Sequence, residues 1–182
     1  MVASFAQSEN FTLSDAKIKK SDTGMNADVK SESKIVQDGT MGAMGIAVIT
    51  DKGFDAVIAS TTHGGIYDSE QQKNASDPVW HNHFVKLVAD NSSKCGINPM
   101  VNDLTLQSPG NVTIVENNMK MHGIPSNFNA SSSLNNSTLS FDAGTKIDKV
   151  VTFKLEPVFD SANKVEAICV KDIKPAANLY AE

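Results

Sequence analysis

The sequence predicts an all-β fold, an antiparallel β-sandwich or β-barrel in a single domain. Short apolar stretches alternate with turn residues, which is typical of β-rich proteins. No window shows sustained 3.6-residue spacing, and nothing repeats at a fixed period. The 182 residues suit one domain with a sizeable core, for which we expect about eight to ten strands.

The chain divides into two parts by composition. Residues 1–34 are rich in Ser, Lys and Asp, and their apolar alternation is weak. We expect them to form a polar, partly mobile and largely irregular N-terminal segment with at most one early strand. Residues 35–182 are expected to form the all-β domain. Three hairpins are predicted there: 43–50 with 54–61, 104–107 with 111–117, and 149–159 with 164–173.

Charge and hydropathy exclude two classes of partner. The formal charge is -5, the pI is near 5.3, and no basic cluster interrupts the acidic balance, which argues against nucleic-acid binding. No apolar run approaches the roughly 18 residues of a membrane span. A small molecule or an ion is the expected partner.

Two features favour a secreted or extracytoplasmic glycoprotein. "ASFAQS" at 3–8 has the small-residue character of the end of a signal peptide, although an ordinary chain terminus can look the same. N-x-[ST] sequons begin at Asn10, Asn74, Asn91, Asn111, Asn129, Asn135 and Asn136. An Asn-rich polar surface explains part of this excess without any glycan.

The two cysteines agree with such a location. Cys95 and Cys169 are the only ones, and in a secreted chain an even number predicts a disulfide. Two separate buried thiols, or a thiolate metal ligand, are the alternatives.

The stretch "DPVWHNHFVKLVAD" at 77–90 carries two of the four histidines. We interpret 79–89 as a strand, so that His81 and His83 lie on one face, about 6.6 Å apart along it. Their face otherwise holds Val and Leu, whereas the opposite face includes Lys86 and Asp90. The sequence therefore directs both imidazoles toward the interior.

Buried imidazoles are favoured in the neutral form, which is the form that binds metals. We predict a divalent metal site formed by His81 and His83, with His63 or His122 supplying a third ligand. Both of these are followed by Gly, which allows close backbone approach. Zinc is the expected cofactor, and copper is the alternative because Met119 and Met121 lie just before His122 in the sequence. Ordinary hydrogen-bonded histidines remain the competing interpretation.

The loop before this strand is acidic, with Asp68, Glu70 and Asp77. One of these carboxylates could orient an imidazole, or the loop could be a solvated acidic turn. The resulting hypothesis is a metal-binding β protein that is able to support metal-assisted hydration or hydrolysis. The alternatives are a metal-free barrel that binds a small apolar ligand, with histidines lining the cavity, and a cell-surface interaction module.

Overall fold

The computed structural model describes residues 11–89 and 93–182 and confirms the all-β, single-domain prediction. The strands in these ranges are β1 (Leu13–Lys20), β2 (Gly24–Ser31), β3 (Met44–Thr50), β4 (Val57–Thr62), β5 (His81–Ala89), β6 (Pro99–Leu104), β7 (Asn111–Val115), β8 (Asn118–Pro125), β9 (Asn127–Ser131), β10 (Thr138–Asp142), β11 (Ile147–Phe159), β12 (Val165–Pro175) and β13 (Asn178–Ala181). A 3-10 helix, Gly53–Asp55, joins β3 to β4. No helix in the described ranges is long and apolar enough to cross a membrane.

Six strands close into an antiparallel barrel in the order β11-β12-β6-β5-β4-β3. Side chains alternate across each strand, so every second residue points into the barrel. The apolar cluster inside it consists of Ala47, Val57, Ala59, Val85, Leu104, Val151, Phe153 and Val170. The barrel therefore has its own small core.

A five-stranded sheet, in the order β13-β1-β2-β8-β7, supplies the second layer. We call the apolar cluster that joins this sheet to the outer face of the barrel the main core. Ile18 and Met121 contribute from the sheet, and Ile58 and Phe84 from the barrel. β3, β4 and β5 are covered on both faces. The first five residues of each of these strands, or more, are therefore buried.

Two of the three predicted hairpins are confirmed. β3 pairs with β4 and β11 pairs with β12, both antiparallel. The hairpin predicted between 104–107 and 111–117 is wrong, because β6 belongs to the barrel and β7 pairs with β8 in the sheet. The "SPG" turn at 108–110 connects the two layers instead of reversing one strand onto the next.

The N-terminal part of the described chain differs from the expected irregular segment. β1 and β2 pair with each other, and β2 also pairs with β8. Their alternate residues Ile18, Ala27 and Val29 are buried in the main core. The alternation of Met25, Ala27 and Val29 with Asn26, Asp28 and Lys30 carried this information in the sequence. Residues 1–10, with "ASFAQS" and Asn10, lie outside the described ranges.

The predicted disulfide is present. Cys95 and Cys169 are bonded, with an S–S distance of 1.97 Å and a Cα–Cα distance of 5.4 Å. The bond joins the β5–β6 connection to β12 across 74 positions of sequence and packs against Ala167.

The sequon asparagines in the described ranges are all exposed. They are Asn74, Asn111, Asn129, Asn135 and Asn136. Asn91 lies outside these ranges. Glycosylation of the exposed sites remains a prediction.

Candidate metal centre

Three histidines and one aspartate meet at one end of the barrel. His81 and His83 begin β5, and His63 directly follows β4. Because Thr61 of β4 pairs with His81, the end of β4 lies beside the start of β5. The loop between these strands brings Asp68 to the same place. Relative exposures are 6% for His63, 8% for Asp68, and 1% for both His81 and His83.

The carboxylate of Asp68 lies in the middle of this His–Asp cluster. Its Oδ2 is 3.1 Å from His63 Nε2 and 3.7 Å from His83 Nε2, and its Oδ1 is 3.2 Å from His81 Nε2. The His81 ring is nearly perpendicular to those of His63 and His83, with centroids 5.1 and 4.8 Å away. All three Nε2 atoms therefore face one carboxylate.

Backbone carbonyls fix the tautomers of two of the imidazoles. His81 Nδ1 lies 2.7 Å from Val79 O, and His83 Nδ1 lies 2.7 Å from Thr105 O. A carbonyl oxygen only accepts, so each Nδ1 carries the proton and donates. In the neutral ring, Nε2 is then an acceptor that faces Asp68, and Thr61 Oγ1 lies 3.3 Å from Nε2 of His81.

The buried carboxylate and imidazoles together could hold a cation. Burial lowers the pKa of His81, and the nearby Asp68 offsets this only in part. Burial alone would raise the pKa of Asp68, but the three imidazoles outweigh it and hold that pKa well below its usual range. Asp68 Oδ1 accepts no hydrogen bond within the described residues, although His81 Nε2 is 3.2 Å away. A cation shared between Nε2 and the carboxylate, either a proton or a metal ion, would complete this pair.

The distances suit a small divalent ion. A tetrahedral zinc ion with ligands at about 2.0–2.2 Å separates its ligand atoms by about 3.3–3.6 Å. The 3.1 and 3.2 Å separations within the cluster are close to this range. His63, Asp68 and His81 can each offer a ligand atom within 4.8 Å of the other two. His83 lies beside this set of three.

A buried glutamine holds the loop that carries Asp68. Gln72 Oε1 accepts hydrogen bonds from the backbone N–H groups of Asp68 and Ser69, at 3.0 and 3.2 Å. Its Nε2 donates to the carbonyls of Ile66 and Asp77. The sequence marked this loop as acidic but did not identify Asp68 as a central member of the site, because its position depends on how the loop folds back.

His122 is not part of the cluster, which corrects the expectation that it could be a co-ligand. It is exposed on β8, where its Nε2 lies 3.3 Å from Thr113 Oγ1. β8 pairs with β2 and β7, so it belongs to the five-stranded sheet and not to the barrel. The neighbouring Met119 and Met121 are buried in the main core.

Two hollow spaces adjoin the His–Asp cluster. A cleft of about 350 Å³ has His63 and Asp68 in its wall, together with Ile66 and the charged side chains of β11 and β12. A smaller cavity of about 70 Å³ lies inside the barrel and ends on Asp68 and His83. The cluster therefore lies between an outer cleft and an apolar interior.

Comparisons with known proteins add no family to this description. The chain matches no protein-family model, and searches against curated proteins and solved structures give no match. The function is therefore argued from the geometry of the cluster.

Proposed function

We propose that the protein binds one divalent metal ion through His63, Asp68 and His81. The observation that carries this proposal is the 3.2 Å approach of His81 Nε2 to the ionised Asp68, with His81 Nδ1 committed to a carbonyl. A proton on Nε2 would also satisfy the pair, but burial opposes a charged imidazole. A metal ion needs the neutral ring and the ionised carboxylate that this environment favours.

Zinc is the ion that best fits these donors. Two imidazoles and a carboxylate are ordinary zinc ligands, and three protein ligands are typical of sites that keep a fourth position open. Copper was the alternative because of Met119 and Met121, but these pack in the main core on β8. Their thioethers therefore give no reason to prefer copper at this site.

An open fourth position would suit metal-assisted hydration or hydrolysis. A water bound there would have its pKa lowered toward neutrality and become a nucleophile. The cleft beside His63 and Asp68 lies within the size range of small-molecule sites. A metal-free apolar barrel, the other possibility raised by the sequence, would give the convergence of one carboxylate and three imidazole nitrogens no role in binding.

We also propose that the protein works outside the cytoplasm. The disulfide between Cys95 and Cys169 supports this, because such bonds persist in oxidising compartments. The exposed sequon asparagines are accessible to modification there.

The metal content of protein purified without a His-tag tests the proposal. We expect about one equivalent of zinc in the wild type, and a loss of affinity in His81→Ala beyond the 10–100-fold typical of outer-shell partners. His122→Ala is the matched control, because that histidine is exposed on the other sheet. Wild-type protein that takes up no zinc at micromolar free metal would overturn the proposal, as would equal losses in the two variants.

A further inference from the structure

The barrel interior contains unfilled apolar space. Ala47 and Ala59 both line the cavity and are directly paired across β3 and β4. Two methyl groups at facing positions leave a gap that larger side chains would fill. Val85, Val151 and Val170 are among the other lining residues, and most of the wall is apolar.

One end of this cavity carries an unused hydrogen-bond acceptor. His83 is 1% exposed and lines the cavity. Its Nδ1 donates to Thr105 O, while its Nε2 has no hydrogen-bond partner within the described residues. A buried acceptor without a donor is costly, so the site favours a ligand that brings an O–H group.

The other end is open to solvent. Phe54, in the 3-10 helix that precedes β4, and Ile173 of β12 both line the cavity. They are 43% and 46% exposed. Along β4 and β5, Val57 pairs with Val85 whereas Thr61 pairs with His81, so Phe54 lies at the end away from the cluster. A molecule can enter between these side chains without passing the proposed metal ligands.

Charge and size narrow the class of ligand. The Asp68 carboxylate beside His83 disfavours an anionic ligand, and an ammonium group that it would attract must give up its hydration in the apolar interior. A neutral hydroxyl avoids both costs and donates to His83 Nε2. The volume of about 70 Å³ is roughly half of a cavity that admits benzene, which suits about three or four carbon atoms.

We propose that the barrel binds a short-chain aliphatic alcohol, with its hydroxyl on His83 and its alkyl chain among the inward-facing residues. This site uses the free acceptor of His83 and the apolar cavity, neither of which is in the three-residue metal set. Of the three proposed metal ligands, only Asp68 lines this cavity.

NMR titration of the full chain with 1-propanol, and separately with xenon, tests this proposal. In the wild type we expect saturable shifts of the Val85 and Val151 methyl signals with both probes, and a dissociation constant for propanol of about 1–10 mM. His83→Phe should weaken propanol binding about 3- to 10-fold while xenon binding persists. His83→Gln, which retains an acceptor oxygen, should recover part of the affinity for propanol.

Two substitutions, one that fills the cavity and one that does not, provide a second test. Ala59→Val should weaken both probes, because its added methyl groups point into the cavity, whereas Ala56→Val adds the same groups in the main core and should weaken neither. Wild-type protein that binds xenon but not propanol overturns the alcohol site, and so does His83→Phe with unchanged propanol affinity. Absence of zinc from the same samples would overturn the metal proposal and leave this one standing.

Discussion

At the scale of single residues, Asp68 is the side chain on which the proposed metal site depends. Its carboxylate is 8% exposed and faces three imidazole nitrogens. Two of these nitrogens are acceptors when their rings are neutral, because Val79 and Thr105 take the other ring protons. The carboxylate is therefore positioned to bind a metal ion together with His63 and His81.

Replacing Asp68 by Asn should cost more unfolding free energy with zinc bound than without it. In chelator-treated protein we expect Asp68→Asn to be less stable than the wild type, because the imidazoles hold the pKa of this carboxyl group below its ordinary value and so favour its ionised form. With zinc at about 1,000 times its dissociation constant the wild type should gain about 4 kcal/mol, and the variant much less. Denaturant unfolding with and without zinc measures both differences. A variant equally destabilised under both conditions would contradict this account.

At the scale of structural elements, β5 shows why His81 and His83 are buried. Val85 faces the barrel core, while the adjacent Phe84 faces the main core. The strand is thus covered on both faces, and its two histidines are shielded by both layers. The prediction that the odd-numbered face points inward was correct for His83 and Val85, but the other face is also buried because the five-stranded sheet packs against the barrel.

β1 should be essential to that second layer, although its composition indicated an irregular lead. Ile18 is 1% exposed in the main core, so Ile18→Ala should lower the free energy of unfolding by about 2–5 kcal/mol. Lys19→Ala, on the exposed face of the same strand, is the control and should change it little. Chemical denaturation measures both. Equal, small effects would mean that β1 does not contribute to the cooperative core.

Asp51 clamps the turn after β3 to the turn before β11. Its carboxylate accepts hydrogen bonds from Thr145 N, Thr145 Oγ1 and Lys146 N, at 2.7, 2.9 and 3.2 Å. These bonds, led by the one from the Thr145 backbone, lower its pKa to about 2 from the ordinary 3.8. The ionised form is therefore the one that stabilises the fold.

The pH dependence of stability follows from this pKa. A carboxyl group whose pKa is depressed in the folded state contributes its full stabilisation above about 4 and loses it as pH falls through about 2. We expect Asp51→Asn to be less stable than wild type at pH 7 and the difference to shrink between those values. Thermal unfolding across pH, with Asp22→Asn as an exposed control, measures this. If the stability difference between the two proteins does not change with pH, the substitution acts through the shape of the side chain and not through its charge.

At the scale of the whole molecule, three parts of one barrel have different roles. Its outer face packs on the five-stranded sheet, its interior holds the apolar cavity, and one end carries the His–Asp cluster. The disulfide ties the β5–β6 connection to β12 within a separate small buried cluster, and neither cysteine lines the cleft or the cavity.

Removing the disulfide should therefore affect stability more than metal binding. Closing a loop with 74 positions of separation is worth about 3–5 kcal/mol in the chain-entropy model. We expect the double variant Cys95→Ala and Cys169→Ala to lose about that much unfolding free energy while it keeps its zinc affinity. Unfolding and zinc titration of the same variant separate the two effects. Loss of zinc at full stability would place the bond within the metal site.

The sequence alone determined the features that depend on local geometry. Period-2 alternation predicted strands, and the spacing of His81 and His83 placed both on one face, because side chains two apart on a strand always share a face. The cysteine count predicted the disulfide. These conclusions need no knowledge of which strands are neighbours.

Tertiary structure decided which distant residues meet. His63 joins the cluster because β4 pairs with β5, and His122 does not because β8 joins the other sheet. Asp68 reaches the imidazoles through a loop folded by Gln72. Pairing between strands far apart in the chain is selected by the packing of the whole core, and turn and hydropathy patterns along the sequence do not encode it.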